Sequence, residues 1–219
     1  DVYKRQGEIY ACGGQREGGG MSLMVKICGL RKADDVKAAV SAGADAVGFV
    51  FAESVRRVSP AEAHKLTQYL PKRVRRVAVM RHPTQSEWQD VLDTFAPDVL
   101  QTDIDDFDSL DVPDSVERWP VIREGYAGID GKLPAVFLYE GQRSGAGQTV
   151  DWPRAAEIAK RGRMILAGGL GIDNIATAIR TVHPHGVDVS SGVESRPGRK
   201  DPGLIQLFIK AARAVEKQA

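Results

Sequence analysis

Short apolar runs alternate with longer segments of helical periodicity along most of this chain. The short runs are almost wholly apolar, as strands covered on both faces are. In the longer segments apolar residues recur every three or four positions, so that Trp88, Val91 and Phe95 share one helix face. The predicted strands cover residues 24–28, 46–51, 74–80, 98–101, 120–123, 135–139, 164–167 and 186–189. The predicted helices cover residues 31–42, 60–70, 84–95, 151–161, 173–182 and 202–217.

This alternation predicts an α/β protein with a parallel sheet and crossover helices. Eight strand–helix units favour a single (β/α)8 TIM barrel, compact beside the usual ~250 residues of that fold. An open doubly wound sheet is the alternative. The helical pattern is weak in residues 107–116 and weak or missing after the fifth strand. No linker rich in Pro and Gly interrupts residues 21–219, which we interpret as one barrel domain.

Residues 1–20 differ in character from the rest of the chain. Residues 1–6 read DVYKRQ, which resembles the in-frame translation of a transposase sequencing adaptor, and residues 7–20 are rich in glycine without any period. We interpret residues 1–20 as a non-native or disordered extension and leave them out of the fold prediction. Met21 or Met24 is then the natural start. A genuine disordered tail is the alternative.

The composition disfavours several classes of function. Lys and Arg total 30 against 29 Asp and Glu, a net charge of +1 that disfavours a nucleic-acid partner. No apolar run approaches the ~18 residues of a membrane span. Only Cys12 and Cys28 are present, so no disulfide framework is indicated and a reducing cytoplasm is expected. Metal-ligand spacings and nucleotide-binding motifs are missing, so neither a metal nor a cofactor is predicted.

Cys28 ends the first predicted strand, and the active site of such a barrel lies at the carboxyl ends of its strands. Side chains alternate along a strand, so Lys26 shares a face with Cys28 one layer below it. Barrel closure makes the first and last strands neighbours, so Lys26 and Asp188 are expected to pair beneath the site. A nearby ammonium favours the thiolate and lowers the pKa of a thiol from ~8.5. A small buried core cysteine is the alternative.

Two glycine-rich turns follow strands seven and eight, where barrels often hold a phosphate. Gly168 and Gly169 lie in the first turn, and Ser191 and Gly192 lie in the second. Glycine lets backbone N–H groups approach the oxygens of an anion closely. The two turns together therefore predict a phosphate site, although either one alone is explained by steric termination of a strand.

Arg56 and Glu140 follow strands two and six. The guanidinium of Arg56 suits bidentate binding of a carboxylate, although the adjacent Arg57 leaves open which of the two points inward. Glu140 lies opposite Cys28, and the loop of residues 141–147 after it could close over a ligand. An acid and a base on opposite sides of one site indicate proton transfer in an isomerisation or ring opening. Solvated surface side chains are the alternative for both residues.

Six stretches spread over nearly all of the chain after residue 21 form a specific combination. They are VKICGL (25–30), AGADAVGFVF (42–51), SVRRVSP (54–60), SGAGQTVDW (144–152), LAGGLGIDNIATAI (166–179) and GVDVSSGVESRPGRKDP (186–202). This combination resembles the phosphoribosylanthranilate isomerase family of tryptophan biosynthesis. The resemblance implies a barrel enzyme without metal or cofactor whose partner is a phosphorylated small molecule. Monomer and homodimer both stay open.

The resemblance implies an Amadori rearrangement of N-(5'-phosphoribosyl)anthranilate to 1-(2-carboxyphenylamino)-1-deoxyribulose 5-phosphate. In this family an acid opens the furanose ring to a Schiff base, and a cysteine thiolate then removes the C2' proton. By motif match Cys28 is the base and Arg56 meets the anthranilate end. Lys26 and Asp188 are assigned to substrate binding beneath the thiol. The phosphate clamp falls on Gly168, Gly169, Ser191 and Gly192.

Two positions depart from the usual pattern of the family. A Leu-Leu-Asp pattern usually supplies the acid, whereas this chain has Leu138-Tyr139-Glu140, which is one methylene longer. A misplacement near 1 Å can cost ~100-fold in rate. A Gln-Leu-His-Gly pattern usually follows strand four, whereas this chain has Gln101-Thr102-Asp103-Ile104. The alternatives are therefore a related sugar-phosphate isomerase, which would use two aspartates, and a barrel that binds a phosphorylated ligand without turnover.

Overall fold

Eight parallel strands close into one barrel, in which the strands are neighbours in chain order and the first pairs with the last. The computed structural model describes residues 22–142 and 149–216. The extension assigned to residues 1–20, Met21, and residues 143–147 of the predicted closing loop lie outside the described residues. The strands are β1 (Met24–Cys28), β2 (Ala46–Val50), β3 (Arg75–Val79), β4 (Val99–Asp103), β5 (Glu117–Arg123), β6 (Val136–Glu140), β7 (Arg163–Leu166) and β8 (Gly186–Val189). The predicted barrel is confirmed, and the open sheet is wrong.

Helices cover the outside of this barrel. They are α1 (Ala33–Ala42), α2 (Pro60–Thr67), α3 (Gln85–Phe95), α4 (Trp152–Ala159), α5 (Ile175–Val182) and α6 (Pro202–Glu216). Short 3₁₀ turns follow β4 and β5 instead, at Ile104–Asp108 and Ala127–Asp130. The prediction of a weak or missing helix after strand five is therefore confirmed. A small antiparallel hairpin, β9 (Glu194–Arg196) and β10 (Arg199–Lys200), lies between β8 and α6.

The starts of α2 and α3 are set by local sequence. Ser59 precedes α2 and accepts a hydrogen bond from the backbone of Glu62, whose side chain accepts one back from Ser59. Thr84 and Glu87 make the same reciprocal pair at α3. Each pair satisfies two backbone N–H groups that a helix start leaves without intrahelical partners. These signals indicate a helix start to within a residue, because they need no tertiary contact.

The apolar core has two layers. The outer layer lies between strands and helices and includes Phe49, Trp88 and Phe95, all fully buried. The inner layer fills the barrel, where Val77, Leu138 and other residues of alternating strand positions meet. The helices described in residues 22–142 and 149–216 include none that is long and apolar enough to cross a membrane.

The neighbouring strands β4 and β5 differ most from their predicted bounds. β4 runs on to Asp103, two residues beyond the predicted end, because the apolar pattern stops where polar side chains begin to face the barrel mouth. β5 begins at Glu117 and carries Pro120 inside it, although proline usually marks the first residue of a strand. The longer end of β4 places Asp103 at the mouth, whereas the earlier start of β5 adds Glu117 at the opposite, amino-terminal end of the barrel.

Candidate active site

A cavity of about 220 Å³ opens at the carboxyl ends of the strands, and all eight strands or the loops after them contribute to its lining. The predicted site residues that line it are Cys28, Arg56, Glu140, Gly168, Gly169, Asp188 and Ser191. Lys26 and Gly192 do not line it. Lys26 lies below Cys28 and is fully buried, while Gly192 contacts the neighbouring loop. The topology thus brings all but two of the predicted residues to one cavity.

Lys26 and Asp188 form the ion pair expected beneath the thiol. Their Cα atoms are register partners on β1 and β8, and Lys26 Nζ donates to Asp188 Oδ2 at 2.9 Å. Gly48 on β2 leaves the room for this arrangement, because an added Cβ would lie 3.1 Å from both Cys28 Sγ and Lys26 Cε. The other carboxylate oxygen, Asp188 Oδ1, is buried and has no hydrogen-bond partner among the described residues. It therefore offers an acceptor to a ligand hydroxyl.

The charge state of Cys28 is set by opposing effects. Burial raises the pKa of the thiol, the ammonium groups of Lys26 and Lys200 lower it, and Asp188 raises it further. The net direction is upward, so the predicted lowering of this pKa is wrong. Lys26 acts in the expected direction but does not outweigh desolvation. Burial also disfavours the Lys26 ammonium, yet Asp188 and Cys28 outweigh it and raise the pKa of Lys26.

Arg56, and not Arg57, faces the cavity. Arg57 lines a separate cavity together with Pro60 and Glu87. Arg56 Nε and Nη2 donate to the two carboxylate oxygens of Glu194, at 2.7 and 2.8 Å. Gly29 has a left-handed φ of +73°, and an added Cβ there would lie 2.7 Å from Arg56 Cδ. The arginine is therefore held between the end of β1 and the start of β9.

Lys200, which no sequence pattern indicated, anchors the loop after β8 from below. The hairpin brings Lys200 back under the loop, where Nζ donates to the backbone oxygen of Ser190 at 2.8 Å and to Glu194 Oε1 at 2.8 Å. Both side chains are almost fully buried, at 1% exposure for Lys200 and 3% for Glu194. Burial lowers the pKa of Lys200, and Glu194 opposes that shift. The contacts of Lys200 with Ser190 and Glu194 depend on the hairpin of β9 and β10, so no hydrophobic periodicity in the sequence predicts them.

The two glycine-rich turns contact each other. Gly168 and Gly169 take left-handed φ values of +87° and +59°, which favour glycine. An added Cβ at Gly192 would lie 2.0 Å from the backbone oxygen of Leu170, so the absence of a side chain lets the turns after β7 and β8 meet. Asn174 fastens the first turn, donating to Gly169 O at 2.8 Å and accepting from Gly171 N at 2.9 Å. The turns after β7 and β8 therefore form one continuous surface, made largely of backbone atoms of residues 168–171 and 190–192, which we call the polar wall.

Glu140 is held at the opposite side of the cavity by Arg123, a residue that no sequence motif indicated. Arg123 Nη1 lies 2.5 Å from Glu140 Oε1, and Nη2 lies 2.6 Å from Asp103 Oδ1. Asp103 is only 13% exposed and also lines the cavity. Its other oxygen lies 3.3 Å from His82 Nε2. Ion pairs through Arg123 thus join the ends of the neighbouring strands β4, β5 and β6.

Gln101 is a further cavity residue without an assigned role. It lines the cavity, it is 6% exposed, and its Oε1 has no hydrogen-bond partner among the described residues. A buried acceptor without a donor costs about 1–3 kcal/mol, which a ligand donor would recover. In the sequence, only the position of Gln101 at the end of a predicted strand indicated that it would lie near the site.

Comparison with known proteins finds relatives over most of the chain. The family model described as N-(5'phosphoribosyl)anthranilate (PRA) isomerase matches residues 25–211. An N-(5'-phosphoribosyl)anthranilate isomerase of Listeria welshimeri is 37% identical over 211 residues, covering 89% of this chain and 100% of the relative. The enzyme of the same name from Streptococcus mutans is 38% identical over 191 residues, covering 86% of this chain and 98% of the relative.

Solved structures are similar over the same part of the chain. The phosphoribosyl anthranilate isomerase of Thermotoga maritima has a TM-score of 0.76 at 30% identity, covering 88% of this chain and 100% of that one. A phosphoribosyl anthranilate isomerase in complex with reduced 1-(o-carboxyphenylamino)-1-deoxyribulose 5-phosphate has a TM-score of 0.73 at 30% identity with the same coverage. With a family model that spans most of its length and relatives above 30% identity, the chain belongs to the N-(5'-phosphoribosyl)anthranilate isomerase family.

Proposed function

We propose that this protein catalyses the Amadori rearrangement of N-(5'-phosphoribosyl)anthranilate to 1-(2-carboxyphenylamino)-1-deoxyribulose 5-phosphate, a step of tryptophan biosynthesis. One observation carries the proposal: a single cavity is lined by the thiol of Cys28, the carboxyl group of Glu140 and both glycine-rich turns. A base, an acid and an anion-binding wall are the groups that this reaction needs. Family membership supplies the substrate.

Glu140 is the general acid and Cys28 the general base. Glu140 donates a proton to the furanose ring oxygen as the C1'–O bond breaks, and the nitrogen lone pair forms the C1'=N bond of a protonated Schiff base. The Cys28 thiolate then takes the C2' proton, the electrons of that C–H bond form C1'=C2', and the C=N electrons return to nitrogen. The resulting enolamine tautomerises to the ketone when the C2' hydroxyl loses its proton and C1' gains one.

The polar wall binds the phosphate end of the substrate. Gly168, Gly169 and Ser191 line the cavity, and we expect their backbone N–H groups to donate to the phosphate oxygens, which the two glycines leave accessible because they have no side chains. Gly192 contributes by letting the two turns meet. Lys200, fixed to the Ser190 backbone, adds a positive charge beneath this wall. A phosphate held here leaves the sugar carbons above the layer of Cys28.

The two buried acceptors suit the sugar hydroxyls. Asp188 Oδ1 and Gln101 Oε1 face the cavity without donors among the described residues, and a ribose carries hydroxyl groups that can donate to them. Lys26 acts from below, by fixing Asp188 and by stabilising negative charge on Cys28. Arg56 meets the anthranilate carboxylate with its remaining donors, since Glu194 occupies Nε and Nη2.

A thiol base has to stay reduced, which supports a reducing compartment such as the cytoplasm. Cys28 is a free cysteine in the described part of the chain. For the assembly we propose a monomer or a homodimer. A solved structure described as monomers of the dimeric phosphoribosylanthranilate isomerase of Thermotoga maritima matches this chain at 30% identity, with a TM-score of 0.74.

Decay of phosphoribosylanthranilate fluorescence, with the substrate generated in situ, tests the function. We expect turnover by the wild type and a loss of ~10²–10⁴-fold in kcat/KM for Cys28→Ser and for Glu140→Gln. Matched controls are Cys12→Ser, which removes the only other thiol, and Glu157→Gln, on the exposed face of α4. Both are expected to keep wild-type activity.

The outcomes separate the alternatives. Turnover that survives Glu140→Gln would place the acid elsewhere within the same function. Tight binding of the product analogue by a folded wild type without turnover would favour the barrel that only binds a phosphorylated ligand. Turnover of another aminoaldose phosphate in preference to phosphoribosylanthranilate would favour the related sugar-phosphate isomerase.

A further inference from the structure

A second cavity opens at the amino-terminal end of the barrel, opposite the candidate active site. This lower cavity, of about 170 Å³, is lined by residues at or beside the starts of strands, including Arg73, Arg75, Arg163 and His185. Among the described residues, none lines both cavities. Ile165 of the apolar inner layer also lines the lower cavity, so packed side chains inside the barrel separate it from the active site.

Two arginines of the lower cavity are left without a counter-charge in the described part of the chain. The carboxylates that line the cavity are already engaged, because Glu117 pairs with Arg75 and Asp45 pairs with an arginine of α6. Arg73 and Arg163 make neither an ion pair nor a side-chain hydrogen bond with the described residues. A guanidinium group donates in a planar fork and binds oxyanions strongly. The charge at this mouth therefore favours an anion.

The indole N–H of Trp119 is a second, independent indication of a ligand. Trp119 lines the lower cavity, is 3% exposed, and its Nε1 has no acceptor among the described residues. The N–H of Trp88, which is also buried, donates to the backbone oxygen of Asp111 at 2.9 Å. Buried N–H groups normally have such a partner, because an unsatisfied donor has lost its hydrogen bond to water. An oxygen atom bound in the lower cavity would supply the missing acceptor.

His185 adds a further donor beside Arg163. It is partly buried and directly precedes β8. Burial and the charge of Arg163 both lower the pKa of its imidazole. The two side chains are therefore close enough for their charges to interact, and an anion bound near both would offset that interaction.

We propose that the lower cavity binds a tetrahedral oxyanion of the phosphate class, held by Arg73 and Arg163 at its mouth and by the N–H of Trp119 at its inner end. A tetrahedral anion presents oxygens in several directions, which suits donors that come from different strands. The ligand is inorganic phosphate or the phosphate group of a monoester. This site is distinct from the polar wall, which lies at the other end of the barrel, and it needs no turnover.

Nuclear magnetic resonance of the indole N–H groups tests the proposal, because the chain has three tryptophans in different surroundings. The three ¹H–¹⁵N signals are assigned with single Trp→Phe variants. Inorganic phosphate is then added to the wild type at constant ionic strength. We expect the signal of Trp119 to move downfield and to saturate as its N–H gains an acceptor. The signal of Trp88 should stay in place, because that N–H already has one.

Two arginine variants locate the anion. Arg73→Gln and Arg163→Gln are each expected to raise the apparent Kd for phosphate about tenfold, since each removes a charged donor. Both side chains are exposed, so the variants are expected to fold. Arg180→Gln is the matched control, because Arg180 is an exposed arginine in the last turn of α5 and does not line the lower cavity. Its Kd should equal that of the wild type.

A titration with ribose 5-phosphate separates the two sources of phosphate. A saturating shift of the Trp119 signal with both ligands supports a site that accepts monoesters. A shift with inorganic phosphate alone supports a site for the free ion.

Three results would overturn the inference. The first is a Trp119 shift that does not saturate, which indicates an adventitious ion only. The second is an unchanged Kd in both Arg73→Gln and Arg163→Gln. The third is loss of the shift when the reduced product analogue is added, which would place the phosphate at the polar wall. A failure of the proposed function would instead appear as a wild type without turnover of phosphoribosylanthranilate, a result that leaves this titration unaffected.

Discussion

Glu194 accepts hydrogen bonds from Arg56 through both carboxylate oxygens, with Nε–Oε1 at 2.7 Å and Nη2–Oε2 at 2.8 Å. The two residues are 138 positions apart in the chain, on the loop after β2 and the strand β9. Glu194 also holds Lys200, which is anchored to the backbone of Ser190. One buried carboxylate therefore fixes both the arginine proposed for the anthranilate end and the loop proposed for the phosphate end.

Replacement of this carboxylate is expected to destabilise the protein. Glu194→Gln leaves the buried Lys200 without its counter-charge, and removal of one partner of a buried pair costs about 3–5 kcal/mol. Urea denaturation followed by tryptophan fluorescence measures the free energy of unfolding. The control is Glu157→Gln, which breaks a pair whose side chains are 63–69% exposed, and exposed pairs contribute little. A loss no larger than that of the control would show that Glu194 is not a structural anchor.

The carboxylate of Glu194 also makes the stability of the protein depend on pH in the acidic range. Burial would raise the pKa of Glu194, but hydrogen bonds from Arg56 and Lys200 outweigh it and lower the pKa to about 2 from an ordinary value of 4.5. A lowered pKa contributes stability that is complete above the ordinary value and is lost as pH falls toward about 2. The difference in unfolding free energy between wild type and Glu194→Gln should therefore be constant above pH ~5 and shrink below it. A difference that stays constant down to pH 2.5 would contradict this assignment.

The barrel and the Lys26–Asp188 pair could be predicted from sequence because both follow from periodicity and closure. Alternation of strands and helices requires a parallel sheet, and a closed barrel makes β1 and β8 neighbours. The register then places Lys26 opposite Asp188. No side-chain conformation has to be known for this step, so the pattern of residues is sufficient.

The links through Arg123 and Lys200 could not be predicted in the same way. Arg123 contacts Asp103 across two register positions, and Lys200 reaches Ser190 only because a hairpin turns the chain back. Both contacts depend on where a long side chain points. The pKa of Cys28 depends on a balance between burial and nearby charge, and only the charge could be inferred from the neighbouring residues in the sequence. These effects can be assessed only when the burial of each side chain and the distances between charged groups are known.

Gly48 is expected to control the position of the thiol. An added Cβ would lie 3.1 Å from Cys28 Sγ and 3.1 Å from Lys26 Cε, so Gly48→Ala forces both side chains to move by a few tenths of an ångström. A shift of the base toward 1 Å costs up to ~100-fold in rate, while the loss of packing is small. For the smaller displacement in Gly48→Ala we expect kcat to fall several-fold with little change in KM, as measured by the fluorescence assay.

Gly171→Ala is the control for that experiment. An added Cβ at Gly171 meets nothing closer than 3.9 Å, and the residue lies at the same end of the barrel. Wild-type kcat in the control and a lowered kcat in Gly48→Ala would assign the effect to the Cys28–Lys26 layer. Equal kcat in both variants would show that the thiol tolerates displacement.

A substitution at Gly192 is expected to affect substrate binding more than the catalytic step. Its added Cβ would lie 2.0 Å from the backbone oxygen of Leu170, which cannot move without separating the turns after β7 and β8. Gly192→Ala should therefore weaken the phosphate site, raising KM at least tenfold with a smaller effect on kcat. Isothermal titration with the reduced product analogue checks the loss of affinity directly. An unchanged KM in a folded variant would mean that the phosphate does not depend on contact between the two turns.

The alkaline limb of the pH profile reports Cys28. Above the pKa of the thiol the thiolate fraction is complete, while protonated Glu140 continues to decline, so kcat/KM falls from that point. Burial raises the pKa of Cys28, with Lys26 and Lys200 opposing it, so the limb should lie above the ~8.5 of an ordinary thiol. The pH dependence of Cys28 alkylation by iodoacetamide, in a Cys12→Ser background, gives the same pKa independently. A limb below the ordinary value, or an alkylation profile that does not coincide with it, would mean that a group other than Cys28 limits the reaction at high pH.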